Sequence, residues 1–346
     1  MSPLMLKEID SLEVAVIVTD ELGPISPSPN PDIQHPSHFL GIPVSPIERP
    51  QTRGGAEVEM KMSSICCAAH GLSLMITAKC GESTKTLLFD AGPEGEVWDR
   101  NARRMNARIG HIDHIVLSHY HRDHSGGLLR AIDMVKGSKT LGSDQLIVDM
   151  HSDRPEYRGI ETPQGPISLE ADPTFSDVEQ AGAQVLLSRD AHSILDDMFV
   201  VSGEVPRQTT YETGIPGGLR FVPSSEGDNG GSWIKDEQIL EERYVMCNVR
   251  DKGLVIFTGC GHAGVINTTR DAQRLSGVQT VYCISGGYHM SDASPEKLQR
   301  TVEDMVKLSP RILHGGHCTG WKFKTEIEKI NPGTVAPCTV GMTYTL

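Results

Sequence analysis

SHYHRDHSGG, residues 118–127, follows an apolar, strand-like run and carries His119, His121, Asp123 and His124. Residues i and i+2 at the end of a strand point to the same side, so His119 and His121 can hold one cation. Asp123 and His124 stand where the chain turns and can face a second cation beside the first. Crowded imidazoles and carboxylates have few donors for their lone pairs, so a metal ion is their natural partner.

Three further motifs accompany this stretch along the chain: LLFDAG (87–92), TGCGHAG (258–264) and GGHCTG (315–320). In this order, the four motifs together resemble those of the metallo-β-lactamase superfamily. The resemblance implies an α/β chain with an αββα sandwich. It also implies an enzyme that binds two divalent metal ions. Imidazole-rich sites suit zinc, while manganese and iron accept the same ligands.

The resemblance also implies which residues would bind the metals. His119, His121 and His262 would hold one ion, and Asp123, His124 and His317 the other. Asp123 would in addition orient a metal-bound hydroxide for catalysis. Asp90 would not bind metal itself but would orient a histidine that does.

Shorter motifs resemble a narrower branch, typified by dihydropterin ribofuranosylaminobenzene 5′-phosphate synthase. They are HGLS (70–73), GEVPR (203–207), DEQ (236–238), GCGHAG (259–264), GGYH (286–289) and HCTG (317–320). The resemblance covers about residues 10–346, and the proline-rich stretch departs from it. One fold hosts many substrates, so the name of the branch does not fix the substrate.

One strand departs from the wider superfamily. Most two-metal members place a bridging aspartate at the end of the strand between the last two histidine motifs. Here that strand reads VYCISGGYHM (281–290) and ends in Ser285 and two glycines. The bridge is then water or hydroxide alone, or the second site is weaker. His289 could compensate as an extra ligand or as a proton donor, and a structural role stays open.

Two residues are candidates for binding substrate. Arg207 in GEVPR could clamp a carboxylate or phosphate, because its planar fork matches either group, and the alternative is a salt bridge to Glu204 or Glu212. His70 heads a strand in HGLS and either faces the cleft or has a structural role.

Two cysteines lie beside proposed ligands. Cys260 precedes His262 and Cys318 follows His317, so a thiolate ligand has to be considered. We interpret both as small packing residues near the site. His151 and His314 could approach the cleft, and the sequence does not decide this.

The chain is interpreted as one domain, residues 1–346, with two insertions. Apolar β-branched runs at 12–20, 72–78, 86–92 and 114–119 predict strands, and 122–135 predicts a helix. Eight prolines between Pro24 and Pro50 predict a surface insertion over 23–60. Residues 150–235, rich in turn-forming and acidic residues, are interpreted as a cap or lid.

Composition excludes several classes of protein. The net charge is −13 and no basic cluster exceeds Arg100–Arg104, which disfavours nucleic acid as a partner. No apolar run approaches the roughly 18 residues of a membrane helix, and the N-terminus lacks an export signal. We therefore expect a cytoplasmic protein with eight reduced cysteines and a small-molecule substrate. The oligomeric state stays open.

The first functional hypothesis is metal-dependent hydrolysis of a small carbonyl compound such as a lactam, lactone or ester, by a metal-bound hydroxide. The alternative keeps the metals but makes phosphorus the electrophile, in a phosphoric ester or a pterin-type phosphate-containing substrate. A di-iron redox enzyme comes third and a non-catalytic binding module fourth.

Overall fold

The computed structural model describes residues 4–24, 28, 30–33, 44–140, 142, 144–224 and 230–346. In these residues the strands are β1 (Glu8–Ile9), β2 (Ser11–Val18), β3 (Val44–Pro46), β4 (Val58–Met60), β5 (Ser73–Cys80), β6 (Ser83–Phe89), β7 (Ile112–Val116), β8 (Ile147–His151), β9 (Arg158–Thr162), β10 (Gly165–Ser168), β11 (Gln184–Ser188), β12 (His192–Ile194), β13 (Phe199–Val201), β14 (Gly218–Pro223), β15 (Gly231–Lys235), β16 (Val245–Val249), β17 (Gly253–Thr258), β18 (Val281–Gly286), β19 (Ile312–Gly315) and β20 (Thr343–Thr345). The helices are α1 (Gly95–Arg104), α2 (Arg122–Ser125), α3 (Leu128–Ser138), α4 (Phe175–Gln180), α5 (Val265–Ser276), α6 (Pro295–Leu308) and α7 (Trp321–Ile330), with 3-10 turns at Pro50–Arg53, Met62–Ser64, Ile109–His111 and His317–Thr319.

Two central sheets pack face to face between layers of helices. The first sheet has the order β11-β8-β7-β6-β5-β2-β20, and the second has β12-β13-β16-β17-β18-β19 with β1 beside β16. Along β2 the side chains alternate, so Val14 and Val16 face the other sheet while Ile17 faces the helices. Trp98 of α1 covers the outer face of the first sheet, and α5–α7 cover that of the second. The chain therefore forms the αββα sandwich that its motifs predict.

Parallel pairing brings the functional loops to one edge of the sandwich. β6 and β7 are parallel in the first sheet, and β17, β18 and β19 are parallel in the second. The carboxyl ends of parallel strands meet at the same edge, where loops carry chemistry on a rigid scaffold. The segments after these five strands all carry residues of the predicted site.

The segment 150–235 is only in part the cap that the sequence predicts. β9, β10, β14 and β15 form a separate four-stranded sheet, hereafter the cap sheet. β11 instead pairs with β8 in the first central sheet, and β13 pairs with β16 in the second. The predicted boundaries are wrong here because the short apolar run of β13 is fully buried as a sheet strand rather than exposed on a lid.

The proline-rich stretch 23–60 lies partly outside the described residues. Its described portion includes an antiparallel pair, β3 with β4, whose residues are exposed or half-buried. Asn30 and Ile33 are nevertheless buried, and the Asn30 side-chain amide donates to the Arg311 carbonyl at 3.2 Å. The surface insertion is thus anchored to the body of the domain at this point.

The predicted helix 122–135 is two helices, α2 and α3, separated by Gly126 and Gly127. A Cβ on Gly126 would overlap the carbonyl oxygen of Pro93, so only glycine allows the chain to pass here. The break lets α2 present Asp123 and His124 before α3 turns away. No helix in the described part of the chain is both long and apolar enough to cross a membrane.

This close passage predicts that Gly126→Ala lowers the free energy of unfolding by about 1–3 kcal/mol, as overpacking against backbone does. Gly137→Ala is the matched control, because Gly137 lies in α3 and a Cβ there meets nothing within 4 Å. The control should be neutral or stabilising by up to about 1 kcal/mol. Denaturant unfolding of both variants measures the difference, and equal stabilities would contradict the close approach.

Candidate metal centre

Three histidines from two sheets form the first group of ligand-type side chains. His119 and His121 follow β7, and His262 follows β17. Nε2 of His119 lies 3.0 Å from Nδ1 of His121, and Nε2 of His262 lies 3.2 Å from the same atom. The structure therefore brings the predicted first set together, although β7 itself ends before these residues, at Val116.

Four residues form the second group: Asp123, His124, Cys260 and His317. Nε2 of His124 and Nε2 of His317 lie 3.2 Å apart, and Oδ2 of Asp123 lies 3.1 Å from Nε2 of His317. The group includes the three predicted residues and adds the thiol of Cys260. The ring centroids of His119 and His124 are 4.4 Å apart, so the two groups are adjacent.

Asp90 orients one histidine in each group. Its Oδ2 lies 2.6 Å from Nδ1 of His124, which leaves Nε2 of that ring free for the second group. Oδ2 also accepts from the Ser118 hydroxyl at 2.8 Å. The hydroxyl oxygen must then accept from Nδ1 of His119, 2.8 Å away, so the lone pair on Nε2 of His119 faces the first group.

The loop that carries Cys260 and His262 is held by a buried carboxylate. Glu242 accepts hydrogen bonds from the backbone N–H groups of Gly261 at 2.8 Å and Ala263 at 2.7 Å. Burial raises the pKa of Glu242, and these backbone donors oppose the rise. The next residue, Arg243, donates to the Leu117 carbonyl at 3.1 Å and so fixes the segment that leads to His119.

Burial and neighbouring side chains give the two groups different charge states. Burial lowers the pKa of His121 to about 3 and that of His119 and His262 well below their ordinary value, so these rings are neutral at pH 7. Burial raises the pKa of Asp123, but the neighbouring His124 and His317 outweigh it and hold that pKa below its usual range. Although burial lowers them, the pKa values of His124 and His317 are raised overall, in part by the Asp123 carboxylate. The first group is therefore neutral, whereas the second pairs a carboxylate with two histidines.

The donor atoms of both groups fit divalent metal ions. In the first group, Nδ1 of His121 contacts Nε2 of His119 and Nε2 of His262, and a proton on Nδ1 could satisfy only one of these contacts. A cation between the three rings could accept a lone pair from each of them. Imidazole, carboxylate and thiol donors are those of zinc sites in proteins.

His70 and His289 both lie at the mouth of this centre. His289 lines the cavity with its ring centroid 4.5 Å from that of His262, and it belongs to neither ligand group. His70 is exposed, and its ring centroid lies 4.7 Å from that of His317. Because His289 is outside both ligand groups, the proton-donor and structural roles stay open for it.

Arg207 is not brought to the cleft, which corrects its predicted role in substrate binding. Its guanidinium donates to the carbonyls of Val205 at 2.5 Å and Gln238 at 2.6 Å. These two hydrogen bonds hold the guanidinium away from the cavity, whose lining does not include Arg207. His151 and His314 do not line the cavity either, and Nδ1 of His314 contacts the Ser285 hydroxyl at 2.8 Å.

A cavity of about 490 Å³ opens over the two groups. One side is formed by the ligand groups, His70 and His289. Another part of its lining comes from the cap sheet and its neighbours, which contribute an apolar wall of Ile160, Leu169, Ile215, Leu219 and Ile239. The lining also includes Asp292, Glu170, Arg122 and the buried Arg158.

Sequence reasoning missed several residues that build this site. Ser118 stands inside the quoted motif, and its hydroxyl forms hydrogen bonds with both Asp90 and His119. Its position beside a ligand is the only local indication of this role. Neither Glu242 nor Arg158 belongs to a motif, because each contacts backbone or charged groups that are distant in the sequence. Cys260 was considered as a ligand and interpreted as packing, because no histidine-like spacing singles it out.

Comparisons with known proteins agree with this architecture. A family model for the metallo-beta-lactamase superfamily matches residues 71–133. The chain is 27% identical to 7,8-dihydropterin-6-methyl-4-(beta-D-ribofuranosyl)-aminobenzene-5′-phosphate synthase of Methanocaldococcus jannaschii, over 77% of this chain and 89% of that protein. It is 30% identical to an uncharacterized protein of the same organism, over 76% of this chain and 89% of that one.

A solved structure shows the same fold. The crystal structure of Tm1679, described as a metal-dependent hydrolase of the beta-lactamase superfamily, superposes with a TM-score of 0.64 at 18% identity. The match covers 96% of this chain and 98% of the other. With the sandwich, the two ligand groups and these relatives, the chain belongs to the metallo-β-lactamase superfamily.

Proposed function

We propose that the protein is a metal-dependent hydrolase of a small, uncharged carbonyl compound, a lactam, lactone or ester, that carries an apolar group. The observation that carries this proposal is the apolar wall that lines the same cavity as the ligand groups. A substrate that fills the cavity contacts the metal ligands at one end and aliphatic side chains at the other. Pockets of this kind bind through apolar area and fix orientation with a few polar groups.

The charges in the cavity support an uncharged substrate. Arg158 pairs with Asp236 at 2.6 Å and with Glu241, and Arg122 pairs with Glu170 at 3.1 Å. Both lining arginines are therefore already neutralised by carboxylates. Asp292 adds a further acid, so the described lining offers a phosphate group no unpaired arginine.

The chain's own residues would divide the work as follows. His119, His121 and His262 would hold one ion, and Asp123, His124 and His317 the other. Bound divalent ions supply an acidified water and a polarised carbonyl oxygen. Asp123, whose carboxylate stays ionised, orients the attacking water, and His289 protonates the leaving group from the edge of the cavity. The apolar wall excludes water around the remainder of the substrate.

A phosphorylated substrate is the second candidate, and the name of the Methanocaldococcus jannaschii synthase favours it. A phosphate would have to be neutralised by the metals themselves, since Arg207 is engaged elsewhere. A panel of lactams, lactones and esters against phosphomonoesters and phosphodiesters, with zinc or manganese, tests the two candidates. Turnover of the phosphates alone would overturn the carbonyl proposal.

Metal dependence gives the first prediction for this site. His121→Ala should lower kcat by about 100-fold or more, and a chelator should abolish wild-type turnover. The free energy of unfolding of the metal-free protein should change by less than about 1 kcal/mol, because His121 lies on an edge loop rather than in the core. His111→Ala, at an exposed histidine, is the control and should keep full activity. A variant with more than about a tenth of the wild-type rate would contradict the ligand role.

Arg207→Ala should reduce stability rather than specificity. Loss of two charged hydrogen bonds to backbone carbonyls should lower the free energy of unfolding by about 2 kcal/mol. The ratio of KM values for a phosphorylated and a neutral substrate should stay the same. Arg250→Ala, at an exposed ion pair with Asp10, should cost less than about 1 kcal/mol. A selective rise in KM for the phosphorylated substrate would restore the anion-clamp role.

The apolar wall predicts a chain-length effect. Ile160→Ala should lower kcat/KM about tenfold for esters with a long acyl chain and leave acetyl esters nearly unchanged, since only the long chain reaches the wall. Ile234→Ala is matched to it in exposure, 46% against 43%, but lies outside the cavity, and it should change neither value. Equal losses for both acyl lengths in Ile160→Ala would contradict contact between wall and substrate.

A further inference from the structure

We infer that Cys260 is a thiolate ligand in the second group and makes that site selective for thiophilic cations such as zinc over manganese. This inference deepens the proposed function, because it rests on the proposal that the centre holds metal. It replaces the interpretation of Cys260 as a packing residue.

The position of the thiol carries the inference. Sγ of Cys260 lies 3.1 Å from Nε2 of His124 and 3.2 Å from Nε2 of His317. With Oδ2 of Asp123, the four ligand atoms lie within 4.8 Å of one another. A packing cysteine would direct its sulfur at aliphatic carbon, whereas this sulfur faces two imidazole nitrogens that belong to one ligand group.

The neighbouring strand explains why a cysteine is needed. β18 ends in Gly286 and is followed by Gly287, so it offers no carboxylate. A Cβ on Gly287 would lie 2.8 Å from Sγ of Cys318 and 3.1 Å from Cα of Cys260. The loop that carries Cys260 therefore occupies the space that a side chain at Gly287 would need. The anionic ligand that β18 lacks is supplied from the end of β17.

Two further contacts separate Cys260 from the other nearby cysteine. The two backbone hydrogen bonds to Glu242 hold Gly261 and Ala263 and so fix the loop on the C-terminal side of Cys260. Cys318 instead donates its S–H to the Cys260 carbonyl at 3.1 Å. Its thiol also contacts His289 and His317, but it is outside the ligand group. Both sulfurs lie near His317, and only that of Cys260 belongs to the ligand group.

A thiolate makes the two groups chemically different. The second group then has two anionic ligands, Asp123 and Cys260, and the first has none. Metal binding releases the thiol proton to solvent, so a neutral thiol becomes a ligand anion only when the ion arrives. Thiolate ligands favour zinc over manganese, which prefers oxygen. The second group should therefore discriminate between these ions more strongly than the first.

Cobalt binding to the full-length chain tests the inference. Metal-free protein is titrated with Co²⁺, bound cobalt is counted by elemental analysis, and the near-ultraviolet sulfur-to-cobalt charge-transfer absorption is recorded. Wild type should show this band, and Cys260→Ser should lose it and bind the affected ion at least about tenfold more weakly. Cys318→Ser is the matched control, a buried cysteine in the same region, and should keep the band.

Each outcome separates the ligand from the metal site. Two bound Co²⁺ ions with no sulfur band in wild type would overturn the role of Cys260 and leave the metal site intact. A band that survives in Cys260→Ser but disappears in Cys318→Ser would overturn it in favour of Cys318. Wild type that binds no Co²⁺ would refute the metal centre and the proposed function together. The wild-type spectrum decides even if the Cys260 variant fails to fold.

Discussion

The buried carboxylate of Asp90 is the interaction on which the centre depends. Its side chain is fully buried and satisfied by the Ser118 N–H at 2.7 Å, the Ser118 hydroxyl and the ring of His124. A buried charge persists only when it is hydrogen-bonded in this way, so the partners cannot move independently. Because one partner is a ligand of the second group and another orients His119 of the first, a single carboxylate sets the imidazole orientation in both.

The cap sheet contacts this same loop through a buried arginine. Arg158 of β9 donates to the Tyr120 carbonyl at 3.2 Å and is neutralised by Asp236 and Glu241. An arginine buried to this degree needs acceptors for its donors, and the Tyr120 carbonyl, Asp236 and Glu241 each accept from a different nitrogen of the guanidinium. The apolar wall is therefore held at a fixed distance from the ligand groups. This anchor thus helps to set the size of the cavity over the ligand groups.

The sequence predicts the sandwich and the ligands because their signals are local. His119 and His121 stand two residues apart in one motif after an apolar run, and His262 and His317 lie in short motifs of their own. The residues that sequence reasoning misplaced act across the chain. The sulfur of Cys260 contacts His124, which is 136 residues away in the sequence. Arg207 donates to the carbonyl of Gln238 instead of facing the cavity. Only the packing of β17 against β18 shows which sulfur faces the ligands, and periodicity contains no information about that packing.

The two ligand groups differ in charge, and this difference makes the cavity electrostatically asymmetric. If Asp123 and the proposed Cys260 thiolate hold a dication in the second group, they would compensate its charge, whereas three neutral imidazoles would leave the positive potential on the side of His119, His121 and His262. Both arginines of the described lining are neutralised, so they add no competing field. For the proposed carbonyl substrate, the carbonyl oxygen would be drawn toward the first group and its apolar substituent would be left toward the cap sheet. Under that proposal the asymmetry of the two ligand groups and the apolar wall would select the same substrate orientation.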